Sequence, residues 1–331
     1  MSGQLWAVSS LGGYTYNDNL SDEFREALQP EVRFRQFCDV KNAAGKERGE
    51  NFHWNVYMNV QTKGGTLVET NTMPETNLRI SQGTLTITER GNSVPWTGKL
   101  ETLGKENIRR PVMRALKNDA KKSFDIGAWT EFNRALLRVV PTTQNSATSV
   151  TLTTNGTATV TNSVAYGTGH TKAISDLMKE RNIPPYSSDD YFALAWPSTY
   201  RTLKNNLEGI HQYTSEGFAM IMNGEIGRYE NVRHIEQTHI PKGGAADSTT
   251  FDPSTDTADA WNNALSDWIF FFGEDTVAEG IAVAEELRGK LPGDYGRSKG
   301  LAWYYLGGYG IIHKDTSFTD QCRIVKWDSA I

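Results

Sequence analysis

The stretch Thr88 to Val140 reads TERGNSVPWTGKLETLGKENIRRPVMRALKNDAKKSFDIGAWTEFNRALLRVV. It predicts a turn, a short edge segment and one long amphipathic helix that stops at Pro141. Apolar residues recur at Met113, Leu116, Ala120, Phe124, Ala128, Phe132, Leu136 and Val139, in steps of three or four that draw a single stripe. Lys117, Lys121, Lys122, Asp125, Glu131, Arg134 and Arg138 mostly take the other faces. Pro111 suits the first turn, where a missing N–H costs nothing. About 28 residues at about 1.5 Å each give a rod of about 42 Å. A one-sided helix of that length is an architectural element before it is a catalytic one.

Outward from this rod the pattern is mixed. Upstream, Asp18 to Phe37 reads as a capped helix interrupted at Pro30, preceded by Gly/Ser/Asn-rich extended chain: an arm. Phe52, Trp54, Val56, Met58 and Val60 alternate with polar residues, which predicts a strand buried on one face. Gln61 to Asn77 is a long tip, and Leu78 to Glu89 a second strand closing a long hairpin. Tips of this length in compact domains are functional or partner-binding.

Downstream, Ser146 to Tyr166 predicts a Thr-rich hairpin about Asn155-Gly156. A helix over 169–182, a strand over 191–196 and a helix opened by Pro197 follow. Residues 224–237 read as a turn into a strand, 242–259 as a polar loop, and Trp268 to Phe272 as a buried strand. Val277 to Leu287, rich in Ala and Glu, predicts a helix; Leu301 to His313 and Cys322 to Trp327 predict closing strands. Without a regular βαβ period the fold class is α+β.

Composition narrows the function. The 331 residues are 38% hydrophobic and 22% charged, so a sizeable core is affordable and disorder is excluded. No apolar run approaches the ~20 residues that cross a bilayer. The start has no basic segment followed by an apolar one, the pattern of a secretory leader. Cys38 and Cys322 read as reduced thiols. The net charge is −5 and no Lys/Arg-rich block is visible, so DNA affinity should be weak, with on the order of one or two counterions released. The pairs Arg109-Arg110 and Lys121-Lys122 read as solvated or subunit-facing charge.

Catalytic motifs are missing. His234, Glu236 and His239 match no zinc spacing. Asp252, Asp256 and Asp259 lack the spacing, glycine and closing Glu of a calcium loop. Gly167 to Lys172 is no P-loop, and Gly307-Gly308-Tyr309-Gly310 is more simply a close-packed strand. The sequence therefore predicts no catalytic, cofactor or metal residue, although Asp189, Asp190, His234 and Glu236 would be the place to look for an unrecognised enzyme site.

Three blocks carry a family resemblance. They are Thr88 to Leu103 running into ALKNDAKKSFDIGAWTEFN (115–133), YFALAWPSTYRTLKNN (191–206) with GEIGRYENVRHIEQT (224–238), and LGGYGIIHKDTSFTDQCRIVKWDSA (306–330). As a set they resemble the major capsid proteins of tailed double-stranded DNA phages, with the Hong Kong 97-type fold, closest to the coat family of N-four-like phages. The resemblance implies an N-arm (1–47), an E-loop (48–92), a P-domain with a spine helix (93–145), an A-domain (146–312) and a C-terminal return to the P-domain (313–331). It implies subunit contacts at Lys63, Gly64 and Gly65 of the loop tip, Phe37 of the arm, and Lys121, Lys122 and Arg134 of the spine helix.

The implied partners are further copies in pentamers and hexamers, a portal, a separate scaffolding protein, a cement protein, and packaged DNA held by weak non-specific contact, with no membrane. The implied location is the virion, after assembly in the host bacterial cytoplasm. An encapsulin-like shell shares the fold and stands as the alternative, beside an enzyme.

Overall fold

The structure is a computed structural model. It describes residues 31–43, 49–58, 60, 64–69, 72–73, 75–104, 107–157, 164–187, 189–211, 227–240, 267–291, 293–314, 316–317 and 319–329. In chain order the first half runs β1 (Asp39–Asn42), β2 (Asn51–Tyr57), β3 (Ile80–Thr86), β4 (Thr88–Thr97), α1 (Gly98–Leu103), α2 (Arg109–Asn133), β5 (Leu137–Pro141) and β6 (Val150–Thr153). The second half runs α3 (Thr168–Glu180), β7 (Tyr191–Ala195), α4 (Arg201–His211), β8 (Arg228–Tyr229), β9 (Val232–Glu236), β10 (Asp267–Phe272), β11 (Val277–Gly289), β12 (Ser298–Ile311) and β13 (Ile324–Ser329). The helix expected over 18–37 falls mostly outside the described residues; its end is a single 3-10 turn, Arg35–Phe37.

The long helix is real but shorter than expected. It spans 25 residues, about 37 Å, and buries Val112, Leu116, Ala120, Phe124, Ala128 and Phe132 in four-residue steps. The stripe starts one residue before the expected one, since Met113 is exposed. Leu137 to Pro141 leave the helix as a strand, in parallel register with β13 through Leu137–Val325 and Val139–Trp327. Leu137, Val139 and Val140 are all buried, and β-branched residues covered on both faces suit an interior strand better than a helix.

A four-stranded sheet, ordered β1-β11-β12-β4, lies against the first part of α2. Trp96, Trp303 and Tyr305 of the sheet enclose Leu116 and Phe124 of the helix in one cluster. The expected short edge segment is the ten-residue edge strand β4, and Pro95 is tolerated there because it lies on the sheet's outer strand. The helix expected over 277–287 is the strand β11. Its Ala/Glu content favours a helix, but pairing with β1 on one side and β12 on the other decides otherwise.

A seven-stranded mixed sheet, ordered β6-β5-β13-β10-β7-β9-β8, forms the second layer. The aromatic run of β10 is buried on both faces. Ile269 and Phe271 meet Ile174 and Met178 of α3 and Leu203 of α4. Trp268, Phe270 and Phe272 meet Ala128, Trp129 and Phe132 of α2 together with Phe34 and Phe37. One rod thus serves two sheets: its start covers the small sheet and its end the large one. Of the expected hairpin about Asn155-Gly156, the first arm is β6, which pairs antiparallel with β5, and Gly156 turns the chain at a positive φ of 78°; residues 158–163 of the second arm lie outside the described residues.

Residues 88–92 belong to the small sheet rather than to the loop hairpin, and so do β11 and β12, which the expected A-domain (146–312) had included. The C-terminal strand comes back to the end of the expected P-domain (93–145), where it runs beside β5. It sits between β5 and β10 in the large sheet, where its residues are buried from Ile324 to Ser329.

Candidate assembly surfaces

The strands β2 and β3 form a two-stranded ribbon apart from both sheets, in full antiparallel register from Asn51–Thr86 to Tyr57–Ile80. Its base is seated firmly. Leu85 is buried against Gly280, Gly308 and Gly310, and a Cβ on Gly308 would fall 2.1 Å from the carbonyl oxygen of Thr86. Trp54 covers Gly83 and donates its indole N–H to the carbonyl of Ile312 at 3.1 Å. The 307–310 glycines therefore act as the close-packed strand expected from sequence, and what packs on Gly308 and Gly310 is the ribbon.

Beyond this base the ribbon is bare. Tyr57, Val60, Leu67, Val68, Met73, Leu78 and Ile80 are all exposed, with Met73 at 70%. Half of the subunit's large exposed apolar side chains among the described residues thus fall within 57–80. Concentrated apolar exposure marks a surface that another molecule covers.

The arm is held by two buried carboxylates. Asp125 of α2 accepts from the backbone N–H of Phe34 at 2.7 Å and of Arg35 at 3.3 Å, and faces His239 Nδ1 at 3.0 Å. Glu279 of β11 is buried, receives the Arg35 guanidinium and accepts from the hydroxyls of Tyr305 at 2.9 Å and Tyr309 at 3.2 Å. Burial together with the Glu279 charge pushes both phenols well above their ordinary range, so they remain donors. None of these anchors was singled out from sequence.

A third polar cluster joins the end of α2 to β13. Lys326 is fully buried, donates to Asn133 Oδ1 and lies 3.8 Å from the Trp268 ring centre. Burial, with Arg138 adding to it, holds its amine well below the usual lysine range, while Asp328 opposes the shift.

The expected contact residues divide. Gly64 and Gly65 are exposed, with nothing within 4 Å of a built Cβ, and Lys63 lies outside the described residues. Phe37 is not available to a neighbour: it is buried within the subunit, its ring 4.9 Å from Phe272 and 5.0 Å from Phe192. Lys121 is exposed and Lys122 half-buried, while Arg134 pairs with Glu131 at 2.7 Å.

The residues weighed for an enzyme site do not converge. Asp190 is buried between Arg228 and Arg233, at 2.6 Å from each, and Glu236 pairs with Lys204 at 2.6 Å. His234 faces the Tyr166 hydroxyl inside the core, where burial lowers its pKa to about 3. Asp189 is exposed on a left-handed turn. Among the described residues no group of three His, Cys, Asp or Glu could hold a metal ion, and the Asp252–Asp259 loop lies outside them.

The same overall fold recurs in solved virus shells. The capsid protein of cyanophage P-SCSP1u superposes with a TM-score of 0.64 at 13% identity, over 95% of this chain and 93% of that one. The capsid of Helicobacter pylori bacteriophage KHP30 gives 0.68 at 14% identity, over 95% and 96%. This is the Hong Kong 97-type coat fold. The capsid of cyanophage Pam1 shares it with a TM-score of 0.63 at 14% identity, over 98% and 99% of the two chains. Neither a protein-family model nor a curated protein matches the sequence. The coat fold is therefore recognised here through its geometry, with side-chain identity contributing little.

Proposed function

We propose that this chain is the major capsid protein of a tailed double-stranded DNA phage, a structural protein and not an enzyme. The observation that carries the reading is its likeness to solved phage capsid proteins along nearly the whole length of both chains. The bare apolar ribbon supports it, because a shell subunit must offer surface that only its neighbours cover. In this reading α2 and the four-stranded sheet are the P-domain, the seven-stranded sheet with α3 and α4 is the A-domain, the ribbon is the E-loop, and the segment before β1 is the N-arm. The narrower affinity to N-four-like phage coats belongs to the proposal.

The mechanism is geometric. One chain occupies slightly different positions in pentamers and hexamers, so arm and ribbon adjust while the rod-and-sheet body stays rigid. Many modest contacts per subunit then sum to a stable shell. Portal, separate scaffolding protein, cement protein and packaged DNA complete the partners, with assembly in the host bacterial cytoplasm and residence in the virion. Gradient sedimentation of the expressed protein tests this reading. Megadalton particles, or rings of five and six, are expected; a stable monomer or dimer under assembly conditions contradicts it. Particles that copurify with a dedicated enzyme cargo instead of DNA would make the protein an encapsulin-like shell.

A further inference from the structure

The cluster that joins the end of α2 to β13 sets an amine against an amide. Asn133 is the last residue of α2, and Lys326 lies within β13; both are buried, the lysine to 1% exposure. Lys326 Nζ sits 2.5 Å from Asn133 Oδ1, across 193 positions of sequence. The amide carbon is one C=O bond beyond that oxygen, so Nζ and Cγ are at most about 3.7 Å apart. Reacting atoms in a productive complex sit about 3–3.5 Å apart, so the two groups are close to an attacking geometry.

The surroundings suit a nucleophilic amine. Lys326 stands in register with Phe270 on one side and Arg138 on the other. Its Nζ lies 3.8 Å from the Trp268 ring centre and 5.5 Å from that of Phe270. Burial, with Arg138 adding to it, holds the amine well below the usual lysine range, which favours the neutral form with its lone pair free. Asp328 follows two residues on in the strand, on the same face. Its Oδ2 accepts from Arg138 Nη1 at 3.4 Å, while its Oδ1 is buried without a hydrogen-bond partner among the described residues. Arg138 also donates through Nη2 to the backbone carbonyl of Asn133 at 3.0 Å, so one guanidinium holds both the carboxylate and the amide residue. A buried lysine is ordinarily paired with a carboxylate. Here the amine meets a neutral amide, and a carboxylate oxygen on the same strand face stays unused.

We propose that Lys326 and Asn133 form an internal isopeptide bond in the folded subunit, with Asp328 as the proton carrier. Nζ attacks Cγ, and the new Nζ–Cγ bond replaces the Cγ–Nδ2 bond. Asp328 takes one proton from Nζ and passes it to Nδ2, which leaves as ammonia, so the carboxylate ends unchanged. No oxidant, reductant or further reactant enters. Burial of Asn133 and Lys326 keeps out water, the competing nucleophile. The bond ties the end of the rod to the last strand inside one subunit, and it stands independently of the coat-protein reading.

Mass spectrometry of the purified full-length subunit tests this. The intact chain should weigh one ammonia less than its sequence. Trypsin should then spare Lys326 and release residues 123–134 joined to residues 324–331 as one branched peptide. K326M and D328N should each restore the full sequence mass, and D328N should release 123–134 and 324–326 as separate peptides. An unaltered chain of full mass that trypsin cuts after Lys326, or an ammonia loss mapped to any other residue, would overturn the bond. Both readings use the unaltered chain, so they decide the matter whether or not a variant folds. A D328N chain that still yields the branched peptide would overturn the part given to Asp328.

Discussion

Arg35 and Glu279, 244 residues apart, form an ion pair in which the guanidinium reaches the carboxylate through both Nε, at 3.1 Å, and Nη2, at 2.9 Å. The carboxylate is buried while the arginine keeps 28% of its side chain exposed. The pair fastens the end of the arm to the small sheet, with the arginine also 4.3 Å above the Phe124 ring centre.

Removing one partner should therefore hurt more than removing both. Arg35→Ala leaves a buried carboxylate with only tyrosine donors and should cost about 3 kcal/mol. Arg35→Ala combined with Glu279→Gln should recover part of that loss, since no buried charge then lacks its partner. Urea unfolding of Arg35→Ala, Glu279→Gln and the double variant measures this; strictly additive losses would show that the pair does not act as a unit.

The buried stripe of α2 makes a contrast within one helix. Phe124→Ala and Phe132→Ala should each cost about 3–5 kcal/mol, whereas Met113→Ala should change stability by less than about 0.5. Lys121→Glu should leave the subunit folded. Equal small effects from all four substitutions would mean that the helix is not packed as described.

Acid should weaken the subunit through its histidines. Burial lowers His234 to about 3 and His313 to about 4, and lowers His170 as well. Between about 6.5, the value in the unfolded chain, and those folded values, the unfolded state binds protons that the native state refuses. Stability is then complete above about 6.5 and declines as pH falls toward 4. His234→Gln should remove up to one proton from that dependence, about 1.4 kcal/mol per pH unit at most. Urea midpoints from pH 4.5 to 7 decide it, and identical slopes would place His234 in contact with water.

Much of this architecture was legible where one residue pattern admits one structure. The alternation from Phe52 to Val56 and the aromatic run of β10 both became strands where expected. The errors came where local pattern and tertiary pairing disagree. Leu136 and Val139 continue the helical spacing, so the end of α2 could not be told from the start of β5 without knowing that β13 lies alongside. Val277 to Leu287 has helix-forming content and is drawn out by two flanking strands. The arm anchors pair residues 91 and 244 positions apart, beyond any motif.

The ribbon should be dispensable for folding and necessary for closure. Deleting 62–75 removes the tip but leaves the seat formed by Trp54, Leu85 and the 308–310 glycines. The deleted subunit should melt within a few degrees of the full chain and fail to form closed particles. Normal particles from this deletion would show that the exposed apolar tip serves no neighbour.

The most direct test of the account is an electron cryo-microscopy reconstruction of particles assembled from the full chain. It should show an icosahedral shell in which the ribbon from Asn51 to Thr86 lies across an adjacent subunit, covering Leu67, Val68 and Met73. Protein that forms no closed shell, or a shell in which each ribbon folds back over its own subunit, would contradict it.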